Sequence, residues 1–310
     1  LDPPDHPRVR GLVAHAFRSR ALAMWEQRVE RVVDELLEEN LTDNEMDLIA
    51  DFAYLLPLTV VGEMLGVPTD DRERLKTWGA AVTASLEPNP SAQVIADANA
   101  TVEDFKGYLG ELADRRRSEP GDDLMSILVS AEEDGQTLSD LELLHNAAFL
   151  LNAGHETTSN LIGSGIDALF RNPDQLDLLR TRPELVESAV EEMLRYDSPN
   201  QIGGRLALEE VTLRDTTITA NTFVWVANGA ANRDPAAYGH PDRFDITRSP
   251  NPHLAFGHGP HLCLGAALAR MEARVAFRRL VRFPHLQPAA APVRRPRARH
   301  RGFLSYPIAV

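Results

Sequence analysis

Between Leu138 and Pro173 the chain reads "LSDLELLHNAAFLLNAGHETTSNLIGSGIDALFRNP", with apolar residues returning at helical spacing. The stretch predicts one helix of about thirty residues, far beyond the usual three turns. A helix of that length has to cross the whole domain, so the other elements must pack around it.

Those elements are mostly helical through the first two-thirds of the chain. "SRALAMWEQRVERVVDELLEEN" repeats apolar residues at helical spacing and ends in polar punctuation. "EMDLIADFAYLLPLTVVGEMLGVPTD" predicts a more apolar, buried helix, interrupted near Pro57 and ended by Gly66-Val67-Pro68. A Thr-Asp cap signal opens "PTDDRERLKTWGAAVTASL". After the turn-prone "EPNPS", Ala92 to Arg117 reads as a long amphipathic helix. "RPELVESAVEEMLRYDSP" predicts a further helix with Pro183 in its first turn. Residues 205–226 are β-branched and alternating, which predicts two or three short strands. From Gly229 to Leu262 the chain is rich in Pro, Gly, Asn and Asp, and so long a structureless stretch in a compact domain is usually functional. A last helix is predicted from about Cys263 to Val281. With no internal repeat and no low-complexity linker, the reading is one mainly α domain over residues 1–310 with a small β portion. The opening "DPPDHP" reads as the middle of a fold, with an N-terminal segment expected before it.

The formal net charge of −14 argues against general nucleic-acid binding, which needs a positive surface. There is no run of eighteen apolar residues to span a membrane, and the first twenty residues lack the order of a signal peptide. One cysteine excludes an internal disulfide. A cytoplasmic monomer is expected. Positive charge is clustered all the same, with Arg270, Arg274, Arg278, Arg279 and Arg282 after the cysteine and Arg8, Arg10, Arg18 and Arg20 near the start. Such a patch suits a small acidic protein partner; a solvated helix face is the alternative.

The lone cysteine lies in "HLAFGHGPHLCLG". By itself a single cysteine is most often a small buried hydrophobe. Here Gly257, Gly259 and Gly265 allow close backbone approach or positive φ, Pro260 stiffens the loop, and a helix follows. Free N–H groups and the helix dipole at such a position favour a thiolate. A fixed thiolate without a second thiol is a poor redox pair but a good single ligand to a metal that brings its other ligands. Haem iron is such a metal, and a cysteine thiolate on it favours O–O cleavage.

"FGHGPHLCLG" resembles the haem-binding loop of the cytochrome P-450 family: Phe256, Gly259, His261, Cys263 and Gly265 at set spacing, then "ALAR" at Ala267 to Arg270. The resemblance implies haem b as cofactor, Cys263 as its iron ligand, and a loop, including Gly257, on the proximal haem face. "AGHETT", Ala153 to Thr158, fits the same family. Taken alone it is a solvated Glu and a threonine bonded back to its own helix, and a His-Glu-x-x-His zinc reading fails because the fifth position is Ser159. The resemblance makes it the oxygen-activating segment, with Ala153 and Gly154 beside the haem, Thr157 as the hydroxyl there and Glu156 relaying protons from solvent.

Further along, "EEMLR" supplies Glu192 and Arg195, ordinarily a surface pair. In this family the pair is buried and joined by a later arginine, which "HPDRFD" offers as Arg243. The haem carboxylates call for cationic or imidazole donors, and the resemblance offers His6, Arg10, Arg205 and His261. "AANRDPAAYGHPDRFD" also matches, so the likeness runs over nearly all 310 residues and points to the soluble bacterial branch. Two departures stand out. Family chains are usually longer before "DPPDHPRVR", and Thr219 and Asn221 replace the common Pro and Gly; Asn keeps a positive-φ turn open.

The implied activity is a monooxygenase acting on a lipophilic natural product, with electrons from an acidic ferredoxin docked around Arg270 and Arg274. Substrate contacts are expected from Thr83 to Leu86, Asn146 to Leu150, Gln201 to Gly204 and Phe303 to Ser305. A hydrogen-peroxide-using peroxygenase and a catalytically silent P-450-like partner protein are the rivals.

Overall fold

The computed structural model describes residues 2–17, 19–133 and 135–310. Arg18 and the side chain of Arg20, two members of the expected basic cluster, lie outside the described residues.

The long helix forms as one element, α7 (Asp140–Arg171, 32 residues). Its start is set by a capping box: Ser139 Oγ accepts the Glu142 N–H while the Glu142 carboxylate accepts the Ser139 N–H. Most residues from Leu150 to Leu169 are buried, because neighbours pack on nearly every side. These neighbours are α3 (Leu55–Leu65), α4 (Arg72–Ser85), α5 (Ala92–Ser118), α8 (Pro173–Thr181), α9 (Val186–Tyr196) and α11 (Ala266–Leu280). Gly165 allows one of these approaches, since a Cβ there would collide with the Phe277 ring of α11. Outside this bundle, α1 (Asp5–Ala14) is joined to the first turn of α7 by the Arg8–Glu142 ion pair, and α2 (Ser19–Asn40) packs on α11.

The apolar stretch expected as one helix folds in three pieces. β1 (Glu45–Asp47) leads into a wide helical turn, Leu48–Ala53, capped by the Asp47 carboxylate, and α3 begins after Tyr54. The break therefore precedes Pro57, which sits in the first turn of α3, where a missing N–H costs nothing. Leu48–Leu65 is apolar enough by composition to cross a membrane, with mean hydropathy 1.6, but 78% of it is buried in the protein interior.

The β portion is a set of small antiparallel sheets. β4 (Gly203–Leu206) pairs with β7 (Phe223–Val226), and β5 (Val211–Leu213) with β6 (Thr216–Ile218), so residues 203–226 hold four strands rather than two or three. Asn221 takes φ 63°, the positive value its turn requires. Near the C-terminus, β11 (Pro307–Ala309) lies between β1 and β8 (Gln287–Pro288). β10 (Phe303–Ser305) pairs with β9 (Val293–Arg294), and β2 (Glu132–Glu133) with β3 (Gln136–Thr137). Residues 229–262 are largely irregular, apart from the end of the short α10 (Asn228–Ala231) and a tight turn entering the cysteine loop.

Candidate active site

The cysteine loop is held by its own backbone. The Cys263 N–H donates to Phe256 O (3.0 Å), and Leu262 N–H to Gly259 O (3.0 Å). Gly257 and Gly259 take φ of 73° and 76°, values strained for any residue with a Cβ. Helix α11 starts at Ala266, so Cys263 precedes its first turn instead of opening it. The Cys263 side chain is exposed, in a recess where partial desolvation pushes the thiol up, while the Gly265 N–H, Arg10 and Arg270 pull it down. The expected lowering of the free thiol is thus outweighed in the protein alone.

Three of the four expected carboxylate partners converge beside this loop. Arg10 on α1 donates through Nη2 to Leu262 O (2.7 Å), and the His6 and His261 rings lie 4.1 Å apart. His261 Nε2 is 3.0 Å from Asp2 Oδ1, so one carboxylate already occupies the imidazole. Arg205, on β4, is exposed and among the described residues its side chain bonds only to its neighbour Gly204 O (2.8 Å).

On α7, Phe149, Ala153 and Thr157 follow at i, i+4 and i+8 and so share one face. That face is a gap in an otherwise buried helix: Phe149 is 64% exposed, Ala153 is exposed and Thr157 is half-buried. Thr157 Oγ1 donates back to Ala153 O (2.9 Å). Beside Gly154 the nearest side chain is Val61, at an ordinary 3.5 Å from an added Cβ, so protein packing alone does not demand glycine there. Glu156 points the other way. It is buried, bonded to Arg295 and to Arg297 Nη1 (2.5 Å). Burial pushes this carboxyl up, but the two guanidinium groups outweigh it and hold the group below its ordinary value. A carboxylate so placed has almost no exposure to solvent, and a relay through it requires it to leave the two guanidinium groups.

Behind the loop, Glu192 and Arg195 are fully buried, with bonds of 2.7 and 2.8 Å. Arg195 also donates to the carbonyls of Asn232, Pro241 and Arg243. The arginine that joins them is Arg248, at 3.1 Å from Glu192 Oε2, and not Arg243, whose exposed side chain leaves only its carbonyl in the network. Both lie on one meander, and only its folded path decides which one turns inward.

Arg270 and Arg274, expected as an outward docking face, turn toward acids. Arg270 binds Glu191 (2.6 and 2.8 Å) and lies 4.5 Å over the Phe256 ring, and Arg274 is 3.9 Å from Glu187. Arg279 is likewise paired, with Asp34, whereas Arg278 has no carboxylate partner among the described residues. Of the expected substrate positions, Thr83 is buried and bonded to Asn152 of α7, and Phe303 is buried in the core. Gln201 and Ile202 line a cavity of about 460 Å³ with Ala227, Ala230 and Arg297, a size suited to a small molecule. Arg295, Arg297 and Arg248 were not singled out from the sequence; no local pattern marks them, since their partners lie 139, 141 and 56 residues away.

A helical fold carrying a cysteine on a rigid glycine loop, with cations beside it and a bare stripe on its central helix, defines a haem-thiolate enzyme. The cytochrome P-450 family model matches residues 1–304. Cytochrome P-450 107B1 of Saccharopolyspora erythraea is 47% identical, over 94% of this chain and 71% of its own length. The vitamin D(3) 25-hydroxylase of Pseudonocardia autotrophica is 45% identical, over 90% and 68%. The crystal structure of P450BioI with an acyl carrier protein ligated to hexadec-9Z-enoic acid superposes with a TM-score of 0.95 at 38% identity, covering 100% of this chain and 80% of that one. The chain belongs to the cytochrome P-450 family and is a haem b-dependent monooxygenase. Its residues fit the group: the bare apolar stripe of α7 suits a flat macrocycle, and His261 already holds a carboxylate.

Proposed function

We propose that the protein inserts one oxygen atom from O2 into a lipophilic natural-product substrate, by hydroxylation or epoxidation. The second oxygen leaves as water, and two electrons come from a ferredoxin. It acts as a cytoplasmic monomer, with residues 1–310 as one domain. The observation that carries this reading is the exposed Cys263, accepting the Gly265 N–H in a loop fixed by two positive-φ glycines.

Cys263 is the iron ligand, with Phe256, Gly257 and Gly265 shaping its loop. Arg10, His6 and His261 would hold haem carboxylates on the α1 side, and Arg205 would do so from β4. Bound haem supplies the activation of O2. Ala153 and Gly154 would leave room beside the group, and Thr157 would present its hydroxyl there by giving up the bond to Ala153 O. Glu156 supplies the proton only after turning away from Arg295 and Arg297. Substrate enters beside Gln201 and Ile202, and the names of relatives such as the vitamin D(3) 25-hydroxylase support a lipophilic class. The ferredoxin meets α11 through Arg278.

The test is the carbon monoxide difference spectrum of the reduced protein. A strongly red-shifted Soret band that Cys263→Ser abolishes is expected; an unchanged band in that variant overturns the ligand assignment. The peroxygenase reading gains one observation, the pinned Glu156, because peroxide arrives with its protons. Turnover with hydrogen peroxide that matched the ferredoxin-driven rate would put it first.

A further inference from the structure

A second polar cavity, of about 100 Å³, lies at the far end of α7, away from the stripe at Phe149 to Thr157. Four guanidinium groups line it: Arg171 from the last turn of α7, Arg233 from the loop after α10, Arg294 from β9, and Arg301. Two carboxylates face them. Asp167 pairs with Arg171 (3.1 Å) and Arg294 (2.9 Å), and Asp197 lies 3.5 Å from Arg294 and 3.4 Å from Arg301. Arg233 is answered from outside the cavity by Asp242, a highly exposed residue. Four positive charges against three negative ones, Asp242 included, leave one cation in surplus around the recess.

The unmet hydrogen-bonding groups point the same way. Arg294 Nη1 is buried and, among the described residues, has no hydrogen-bond partner beyond the long 3.5 Å contact to Asp197. Ser164 lines the same cavity; it is 3% exposed and its hydroxyl has no partner among the described residues. Such orphaned donors are costly unless something accepts from them. The volume equals about three waters at the liquid share of one molecule, enough for one tetrahedral oxyanion. Guanidinium groups bind such oxyanions through paired, charge-assisted hydrogen bonds.

We propose that this cavity binds a small tetrahedral oxyanion, with inorganic phosphate as the cellular ligand. Arg294 Nη1 and Ser164 Oγ donate to it, and Arg171, Arg233 and Arg301 supply the surrounding charge. The ion ties the end of α7 to the loops carrying Arg233 and Arg301, and it takes no part in oxygen chemistry.

The experiment is thermal unfolding of the holoenzyme, followed by loss of the Soret band, at constant ionic strength in phosphate, sulfate or chloride, with adenosine monophosphate as a further arm. Ligand that binds only the folded protein stabilises it saturably. Phosphate and sulfate are expected to raise the midpoint saturably, and chloride is not. Arg294→Gln is expected to need at least ten times more phosphate, and Ser164→Ala several times more, with turnover unchanged in Ser164→Ala. Equal stabilisation by adenosine monophosphate supports the site and assigns it to phosphate esters rather than the free ion. The same response to chloride, or an unchanged phosphate requirement in both variants, overturns the proposal and leaves a cavity filled by water. If Arg294→Gln fails to fold, Ser164→Ala decides, since its hydroxyl has no partner among the described residues.

Discussion

Arg297 Nη1 lies 2.5 Å from Glu156 Oε1, so the acid expected to carry protons from solvent faces inward as an ion-pair partner and has to leave that pair to deliver one. Glu156→Ala leaves Arg295 and Arg297 without their carboxylate in a largely buried setting, at a cost of about 3 kcal/mol. Arg297→Gln keeps the Arg295 bond and is expected to cost about 1 kcal/mol. It should also raise the Glu156 pKa by removing one of the charges that hold it down; because a proton donor acts in its protonated form, this moves the alkaline limb of the turnover profile to higher pH. Denaturant unfolding and a pH–rate profile check both; an unmoved alkaline limb removes Glu156 from proton delivery.

Thr157→Ala loses one bond to Ala153 O on a half-open helix face, so stability should change by less than about 0.5 kcal/mol. Coupling is expected to fall, with more electrons recovered as hydrogen peroxide while haem content stays constant. Peroxide yield per electron consumed is the measurement, and unchanged coupling would take the hydroxyl out of the mechanism.

Arg270 and Arg278 share a face of α11 at i and i+8 but do different work. Arg270→Glu places two acids together, frees Phe256 from its cation, and should lower haem content. Arg278→Glu should leave haem content intact and raise the ferredoxin KM several-fold. Haem absorbance per protein and steady-state kinetics separate the two, and the reverse pattern would exchange their roles.

Arg195→Lys cannot keep two bonds to Glu192 and three to backbone carbonyls, because an ammonium lacks the planar fork. Leaving Glu192 under-satisfied should cost about 3–5 kcal/mol. Chemical denaturation is the check, with loss of haem on purification as the companion sign; a cost under about 1 kcal/mol would mean the network reorganises around lysine.

Glu191 gives a pH signature. Burial pushes its carboxyl up, but Arg270 and His253 overcome this and bring it down to about 2. A carboxyl depressed in the folded state contributes stability that is present above its unfolded pKa of about 4.3 and lost as pH falls through the folded value. Glu191→Gln should therefore lower Tm at neutral pH and lose that gap between about pH 4.3 and pH 2. Melting curves of both proteins across this window test it, and a gap that persists at pH 2 would rule the linkage out.

The local chemistry was legible from residues near one another in the chain. Helix α7 announces itself by its apolar period, and the loop around Cys263 by glycines that the backbone then uses at φ 73° and 76°. Asn221 likewise carries its turn within its own tetrapeptide. Tertiary structure alone decided which charges meet. Arg248 rather than Arg243 reaches Glu192, Arg270 turns in to Glu191, and Arg295 and Arg297 close on Glu156. The physical reason is range. Periodicity and backbone conformation depend on neighbours within a turn or two, whereas an ion pair depends on how distant segments are packed, 141 residues apart for Glu156 and Arg297. An arginine looks the same in sequence whether it faces water or a buried acid.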